Sequence, residues 1–195
     1  MKAEKNLQYP VVQSISKRWS PRAFSDKKIP TSEVKSLFEA ARWAASARNQ
    51  QPWLFIWAGK DQPELHNQLM ECMVAWNQSW AKTADVLILC FARVKTGEKN
   101  YPNETALYDL GLAMGNMTTQ AMENGIYLHH MAGLEFDVIE KNFQYPEVYK
   151  PVCMVAAGYP GDVAHIPADI AQNEYNEQIR KEQDEFVFNS LPEWK

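Results

Sequence analysis

Two arginines and a serine lie close together near the start of the chain, in the sequence KRWSPRAF. Arg18, Ser20 and Arg22 are spaced so that two guanidinium groups and a hydroxyl can converge on one ligand. Arginine donates planar, paired hydrogen bonds, and this geometry suits a phosphate group. The spacing therefore indicates a phosphate site. A basic helix end with solvated side chains is the alternative interpretation.

A second polar cluster, SARNQQPW, lies between a helical pattern and the apolar run LFIWA. Asn49 and Gln51 carry both hydrogen-bond donors and acceptors, as recognition of the polar edge of a heterocycle requires. Ser46 and Arg48 are placed to reach a phosphate or a ring oxygen. The alternative is a loop after a helix whose polar groups are satisfied by its own side chains.

In the sequence HHMAGL, we expect the backbone rather than a reactive side chain to contact a ligand. Gly133 can let the backbone come near a flat ligand. His129 and His130 point to opposite faces if this segment is a strand, so they are poor joint ligands of a metal. The sequence contains no CxxC, no HxxxH and no cluster of carboxylates, and we expect no metal site.

Two further basic residues, Arg180 and Lys181, lie near the C-terminus. A solvated run of charge is the simplest interpretation of this pair. The apolar residues of Phe186 to Phe188 follow closely, however, and they indicate that the tail packs against another surface.

Helices and strands alternate along the chain, and these elements must position the clusters. The clearest helix is predicted over residues 31–46, with Thr31 as its N-cap. Other helices are predicted at 14–20, at 62–82 in two pieces, and at 136–143. Strands are predicted at 54–58, 86–92, 126–131 and 152–158. This order favours an α+β fold of about four strands plus helices.

The longest helical pattern covers residues 104–124 and is apolar or small almost all round. We therefore expect this helix to be buried on several sides. Gly111 and Gly115 each cost roughly 1 kcal/mol of helix propensity, which is tolerable where another backbone packs closely. Gly125 is the residue expected to end the helix.

The composition of the chain indicates which class of protein it belongs to. The chain has 195 residues, a net charge of −4 and 46% apolar residues. These values predict one globular domain over residues 1–195 that does not bind nucleic acid. We expect neither a membrane span nor a secretory signal, since no suitable apolar run occurs. Three widely spaced cysteines indicate buried free thiols and a cytoplasmic protein.

In their order and spacing, these segments resemble the nitroreductase family of flavin enzymes. That family opens with R-x-S-x-[RK]-x-F, matched by residues 18–24, and its next helix ends in a stretch like A-P-S-S-x-N-x-Q-P-W, matched by 44–53. Later family patterns are D-x-G-x-A-x-x-N, a strand ending in a small residue and glycine, G-Y-P, and R-K-x-x-x-E-F-V-F. They match residues 109–116, 132–133, 158–160 and 180–188.

The resemblance implies a central antiparallel sheet of about four or five strands, flanked by helices, in an intertwined homodimer. It also implies that FMN is the cofactor and is bound at the dimer interface. A C-terminal segment, at about residues 170–195, would dock on the partner subunit.

The resemblance also assigns the residues that would contact FMN. Its phosphate and ribityl end would be held by Arg18, Ser20, Arg22 and Arg180. From the other subunit would come Ser46, Asn49 and Gln51. Asn77 would lie near the isoalloxazine ring, and the backbone at Ala132 and Gly133 would approach the flavin N5. The implied set is completed by Ala47, Arg48 and Met131.

The implied activity is flavin chemistry, without a catalytic side chain. NADH or NADPH would give a hydride to the flavin N5, and two electrons would pass to a nitro-aromatic, a quinone or a similar acceptor. Two alternatives are a reductive dehalogenase on the same fold and a protein that stores or senses FMN without turnover.

Overall fold

The computed structural model describes residues 2 and 4–191. A four-stranded antiparallel sheet with the strand order β1-β2-β6-β5 lies at its centre. The strands of this sheet are β1 (Trp53–Gly59), β2 (Val86–Arg93), β5 (Tyr127–Met131) and β6 (Tyr149–Gly158). Two very short strands, β3 (Lys95–Thr96) and β4 (Tyr101–Pro102), form a separate hairpin. The predicted α+β class, with an antiparallel sheet flanked by helices, is confirmed.

Helices cover both faces of the sheet. They are α1 (Gln13–Ser16), α2 (Thr31–Arg42), α3 (Pro63–Glu71), α4 (Ala75–Ala81), α5 (Ala106–Glu123), α6 (Phe136–Phe143) and α7 (Ala168–Ala171). One apolar cluster contains Leu69 of α3, Trp80 of α4 and Ile139 of α6. The opposite cluster contains residues of α2 and α5. Strand β2 contributes to both clusters and is buried from Val86 to Ala92, as its continuous apolar run predicts.

The helix predicted over 31–46 is shorter than expected. It begins at Thr31 as a helical residue, because Pro30 takes the N-cap position, and it ends at Arg42. Beyond Arg42 the chain leaves the helix, and the backbone N–H of Ala47 donates to Asp109 of α5 at 3.2 Å. The helix predicted over 14–20 is also shorter and ends at Ser16.

Strand β6 begins at Tyr149, three residues earlier than predicted, and it includes Pro151. Proline lacks a backbone N–H and normally argues against a central strand. Here the first half of β6 extends past the end of β5, whose last pair is Met131 with Met154. Pro151 therefore has a strand neighbour on one side only, and it follows an irregularity in the pairing with β2.

Helix α5 is buried on one side and open on the other. Ala113, Met117 and Ala121 are fully buried, whereas Leu107 and Tyr108 are exposed. A Cβ placed on Gly111 or Gly115 would meet no atom of the described chain within 4 Å. The expectation of burial on several sides is therefore not met within one chain. The helix ends as predicted, with Gly125 in the left-handed region at φ +68.

Candidate functional site

The arginine-rich segment near the N-terminus is fixed to the end of the central sheet. Phe24 forms an antiparallel bridge with Pro160, just beyond β6. Ser25 N donates to Tyr159 O at 2.8 Å, and Gly161 N donates to Ala23 O at 2.9 Å. A Cβ on Gly161 would lie 2.3 Å from the carbonyl carbon of Phe24, so this close pairing requires glycine.

A buried carboxylate holds the same segment from the other side. Glu174 is 2% exposed and accepts hydrogen bonds from Arg22 N at 2.6 Å and from Ala23 N at 3.1 Å. The Arg22 guanidinium lies 4.0 Å from the second oxygen of Glu174 and 5.4 Å from the ring centre of Trp76. Its buried Nε has no hydrogen-bond acceptor among the described residues.

Arg18 forms a cluster with two further cationic side chains, Lys5 and Arg180. The guanidinium of Arg18 donates to Ser20 Oγ at 3.1 Å, and Lys5 donates to the Arg18 carbonyl. Burial, followed by the charge of Arg180, lowers the pKa of Arg18. Burial, followed by the charges of Arg18 and Arg180, lowers the pKa of Lys5. Within residues 2 and 4–191, no carboxylate forms an ion pair with any of the three.

This cationic cluster, Lys5–Arg18–Arg180, can therefore bind an anion with two negative charges. The charged forms of Lys5 and Arg18 are held at some cost, because burial and like charge both disfavour them. A phosphate would remove the repulsion between them. Of the three, the sequence indicated Arg18 and Arg180, and it gave no signal for Lys5.

A cavity of about 350 Å³ opens beside Arg18. Its wall is formed by Ser14, Ile15, Arg18, Met114, Gly115, Thr118, Thr119 and His130. This volume lies within the range of about 300–1,000 Å³ that is typical of small-molecule sites. The open face of α5 at Gly115 therefore borders the cationic cluster.

The loop that contains the second polar cluster is locally strained. Arg48, Asn49 and Gln51 have φ values of +52, +54 and +48. Residues other than glycine seldom adopt this left-handed region, and asparagine tolerates it best. The side chains of all three residues are exposed to solvent.

Hydrogen bonds within the loop and to α5 maintain this conformation. Ser46 Oγ accepts from Gln51 N at 3.0 Å, and the Gln51 side chain donates to Asn49 O at 3.1 Å. Ala47 N donates to Asp109, which also accepts from the Thr105 hydroxyl at 3.0 Å. The predicted alternative, a loop that satisfies itself, is thus partly realised, while Asn49 and Gln51 still present polar groups to solvent.

Asn77 and Gly133 meet where α4 approaches the end of β5. The Asn77 side-chain amide donates to Gly133 O at 3.4 Å, and Val74 N donates to the same oxygen at 3.2 Å. A Cβ on Gly133 would lie 2.8 Å from the Asn77 amide nitrogen. Ala132 is exposed, whereas the side chain of Met131 is buried in the core. Gly133 thus allows close packing within the chain itself.

The structure therefore divides the predicted site residues into three groups: the cationic cluster with Ser20 and Arg22, the 46–51 loop, and the Asn77–Gly133 contact. No hydrogen bond or ion pair of the described chain joins the loop to the other two groups. The sequence did not reveal Glu174, whose role depends on a partner 152 positions away.

The two adjacent histidines face opposite sides of the sheet, as predicted for a strand. The His129 ring packs 4.4 Å from the ring of Trp80 and hydrogen-bonds the Pro21 carbonyl at 2.9 Å. Burial is the main cause that lowers the pKa of His129 to about 4. His130 is exposed and hydrogen-bonds Thr118 at 3.1 Å. No group of three metal-ligating side chains occurs in the part of the chain that the structure describes.

Comparison with known proteins identifies the fold family. The model of the nitroreductase family matches residues 15–75 and 60–159, which is more than half of the chain. The chain belongs to the nitroreductase family. The motifs at residues 18–24, 44–53 and 109–116 lie inside the matched region.

Several family relatives have known structures. An oxidoreductase containing FMN is 31% identical, with a TM-score of 0.89, and the match covers 98% of this chain and 97% of that one. A putative nitroreductase from Desulfovibrio desulfuricans in complex with FMN is 21% identical, with a TM-score of 0.72 and coverage of 95% and 100%. The second similarity concerns the fold alone.

A more distant relative is named for another reaction. The iodotyrosine deiodinase of Haliscomenobacter hydrossis is 24% identical over 183 residues, with coverage of 80% of this chain and 81% of the deiodinase. The family and its oxidoreductase neighbours support an oxidoreductase of the nitroreductase family. None of the described helices combines the length and the apolar character that a membrane crossing requires.

Proposed function

We propose that this chain is an FMN-dependent oxidoreductase that passes two electrons from NADH or NADPH to a nitro-aromatic, a quinone or a similar acceptor. The observation that carries this proposal is the cationic cluster Lys5–Arg18–Arg180, which has no carboxylate partner within the described chain. The FMN named for the two structural relatives supports a flavin phosphate as the anion that this cluster would bind.

The residues present fit FMN at several points. Its phosphate would be held by Lys5, Arg18, Ser20 and Arg180, with Arg22 offering a buried Nε–H that lacks an acceptor in the described chain. Asn77 and the backbone at Ala132 and Gly133 would border the ring. When bound, FMN supplies a site that accepts a hydride and returns two electrons to an acceptor.

The other residues of the proposed site would position FMN and enclose it. Glu174 fixes the backbone of Arg22, so the guanidinium is oriented before any ligand arrives. Trp76 is 51% exposed beside Arg22, so an aromatic surface borders the proposed ring site and suits a flat acceptor. No side chain is required as a nucleophile or a metal ligand.

We further propose a homodimer in which each site is shared. The exposed Asn49 and Gln51 would contact the FMN of the partner subunit, because they lie on a loop that no polar contact joins to the cationic cluster. The exposed apolar residues that such an interface would cover are Leu107, Tyr108, Leu112, Ile179, Phe186, Val187, Phe188 and Leu191.

We propose that the C-terminal segment docks on the partner with its later part, within the expected range of about residues 170–195. Ile170 and Glu174 are buried in their own chain, so the docking stretch would begin after residue 174. Its last four residues, 192–195, lie outside the described part of the chain.

The cofactor proposal is tested on the purified protein. We expect a yellow protein that releases FMN on denaturation, and an apo-protein that takes FMN up again. A colourless protein that does not take up added FMN would contradict the proposal.

The reaction is tested separately by stopped-flow mixing with NADH and with NADPH. Rapid bleaching of the bound flavin by either donor is expected, whereas a storage protein would be reduced only slowly. A steady-state panel of nitro-aromatics, quinones and an iodinated tyrosine then identifies the acceptor class and tests the dehalogenase alternative.

A further inference from the structure

Two of the three cysteines lie directly opposite each other in the central sheet. Cys90 of β2 pairs with Cys153 of β6 in the antiparallel register. Both side chains contact the apolar cluster between the sheet and helices α2 and α5, so they share one face. Paired residues of antiparallel strands have Cα atoms about 4.5–5.5 Å apart, within the range of about 4.4–6.8 Å that disulfides span.

The two thiols have different surroundings. Cys90 is fully buried, and its pKa is raised by burial. Cys153 is only half-buried, and its pKa is lowered by the neighbouring Cys90 thiol and then by His130. The thiolate is the reactive form of cysteine, so Cys153 is the sulfur prepared to attack and Cys90 the one placed to follow.

The hydrogen bonds of Thr118 define the role of His130. The Thr118 hydroxyl donates to Met114 O at 2.7 Å, so it can only accept from His130 Nε2, at 3.1 Å. Nε2 then carries the proton of the neutral ring, and Nδ1 is left free to accept one. Cys153 itself is partly exposed, and its neighbour His130 lines the cavity of about 350 Å³ beside Arg18.

We propose that Cys90 and Cys153 form a redox pair that hydrogen peroxide converts to an intrachain disulfide, with His130 as the proton acceptor. His130 takes the thiol proton of Cys153, and the sulfur attacks one peroxide oxygen. The O–O bond breaks, Cys153 is oxidised to a sulfenic acid, and the other oxygen leaves as water with the proton from His130. The Cys90 sulfur then attacks the Cys153 sulfur, the S–O bond breaks, and the leaving hydroxide takes the Cys90 thiol proton to form a second water.

The test uses the purified protein as isolated, exposed to a small molar excess of hydrogen peroxide. Remaining thiols are alkylated after the protein is unfolded in denaturant, and linked peptides are mapped by mass spectrometry without reduction. We expect loss of two of the three thiols, a peptide that links Cys90 to Cys153, and full alkylation of Cys72. Because this measurement is made on the wild type, it does not depend on whether a variant folds.

Variants separate the two steps. Cys90→Ser should leave a Cys153 sulfenic acid that dimedone traps, whereas the control Cys72→Ser should form the same linked peptide as the wild type. His130→Gln should slow thiol loss several-fold without changing the product. The proposal is overturned if Cys153 stays fully alkylatable under conditions that oxidise glutathione in a parallel sample, or if Cys72 is the linked partner. An unchanged rate in His130→Gln would overturn the role of the imidazole.

Discussion

Arg18 keeps its positive charge in a place where burial and Arg180 both oppose it. A residue in that position is stabilised when an anion binds, so its contribution should appear in ligand affinity more than in folding. Lys5 shares this environment, whereas Arg180 is exposed and lies on the tail. We therefore expect the predicted phosphate contacts of single residues to contribute unequally to FMN affinity.

We predict that Arg18→Ala weakens FMN binding strongly, by about 1.5–3 kcal/mol, since a charge-assisted hydrogen bond to phosphate is lost. Arg180→Ala should have a smaller effect, because the tail must also be ordered. Titration of the apo-protein with FMN measures both. Arg42→Ala is the matched control, because Arg42 is exposed and paired with Glu39. Equal affinity in Arg18→Ala and Arg42→Ala would show that the phosphate binds elsewhere.

His129 should make stability depend on pH. Its pKa is about 4 in the folded chain, compared with about 6.5 for an unperturbed histidine. Between these values the unfolded chain binds more protons, so stability falls as the pH is lowered, by up to about 1.4 kcal/mol per pH unit. The free energy of unfolding in urea should differ less between pH 7 and pH 5 in His129→Asn than in the wild type.

The control for this experiment is His165→Asn, because the side chain of His165 is exposed. It should retain the wild-type difference between the two pH values. If His129→Asn retains that difference as well, the pH dependence has another source.

At the scale of elements, the sequence predicted most of what the structure contains. Helix α6 occupies the predicted residues 136–143, and the 62–82 region forms the two expected pieces, α3 and α4. Apolar periodicity was sufficient to predict these helices, because each one is specified by the spacing of its own apolar residues. Element order and the motifs also gave the α+β class and the family.

The boundaries that differ depend on distant residues. The loop after α2 is set by Asp109 of α5, and Pro151 is accepted in β6 because β5 ends early. In the candidate site too, some residues could be predicted from the sequence and others could not. Arg18 and Ser20 could be found from their spacing, but Glu174 could not, because its partner Arg22 lies 152 positions away. Lys5 lies only 13 positions before Arg18, but it belongs to no recognisable pattern.

We predict that Glu174→Ala destabilises the fold by about 1–3 kcal/mol, because the buried N–H groups of Arg22 and Ala23 lose their acceptor. The free energy of unfolding in urea measures this loss. Glu177→Ala is the matched control, since Glu177 is exposed on the same segment. Unfolding curves of the two variants that superimpose would contradict an anchoring role for Glu174.

At the scale of the whole molecule, one side of α5 and the C-terminal tail leave apolar residues exposed. Leu107, Tyr108 and Phe186 are between 49% and 69% exposed. Large contiguous apolar patches are rare on monomers and mark interaction sites. The glycines of α5 make this face flat, so a partner backbone could approach it closely.

We predict a wild-type homodimer that Gly111→Leu disrupts, because overpacking a close interface costs about 1–3 kcal/mol. Gly111 is a better choice than Gly115, which lines the cavity beside Arg18. Within one chain a side chain at Gly111 meets nothing, so the fold itself should tolerate leucine. Light scattering reports the mass, and flavin content is measured on the same samples.

Lys35→Leu is the control for this variant, because it places an exposed leucine on α2 instead. It should remain dimeric and keep its flavin. A wild-type monomer with a full complement of FMN would contradict the shared site.

The anchoring of the arginine segment by Glu174 has a consequence for how the protein is made. A ribosome synthesises the chain from the N-terminus, so Arg22 leaves the exit tunnel long before Glu174, which follows 152 residues later. The bridge from Phe24 to Pro160 is delayed in the same way. Residues 18–24 therefore remain without these two contacts until Pro160 and Glu174 have been synthesised, and the proposed phosphate site is completed only then.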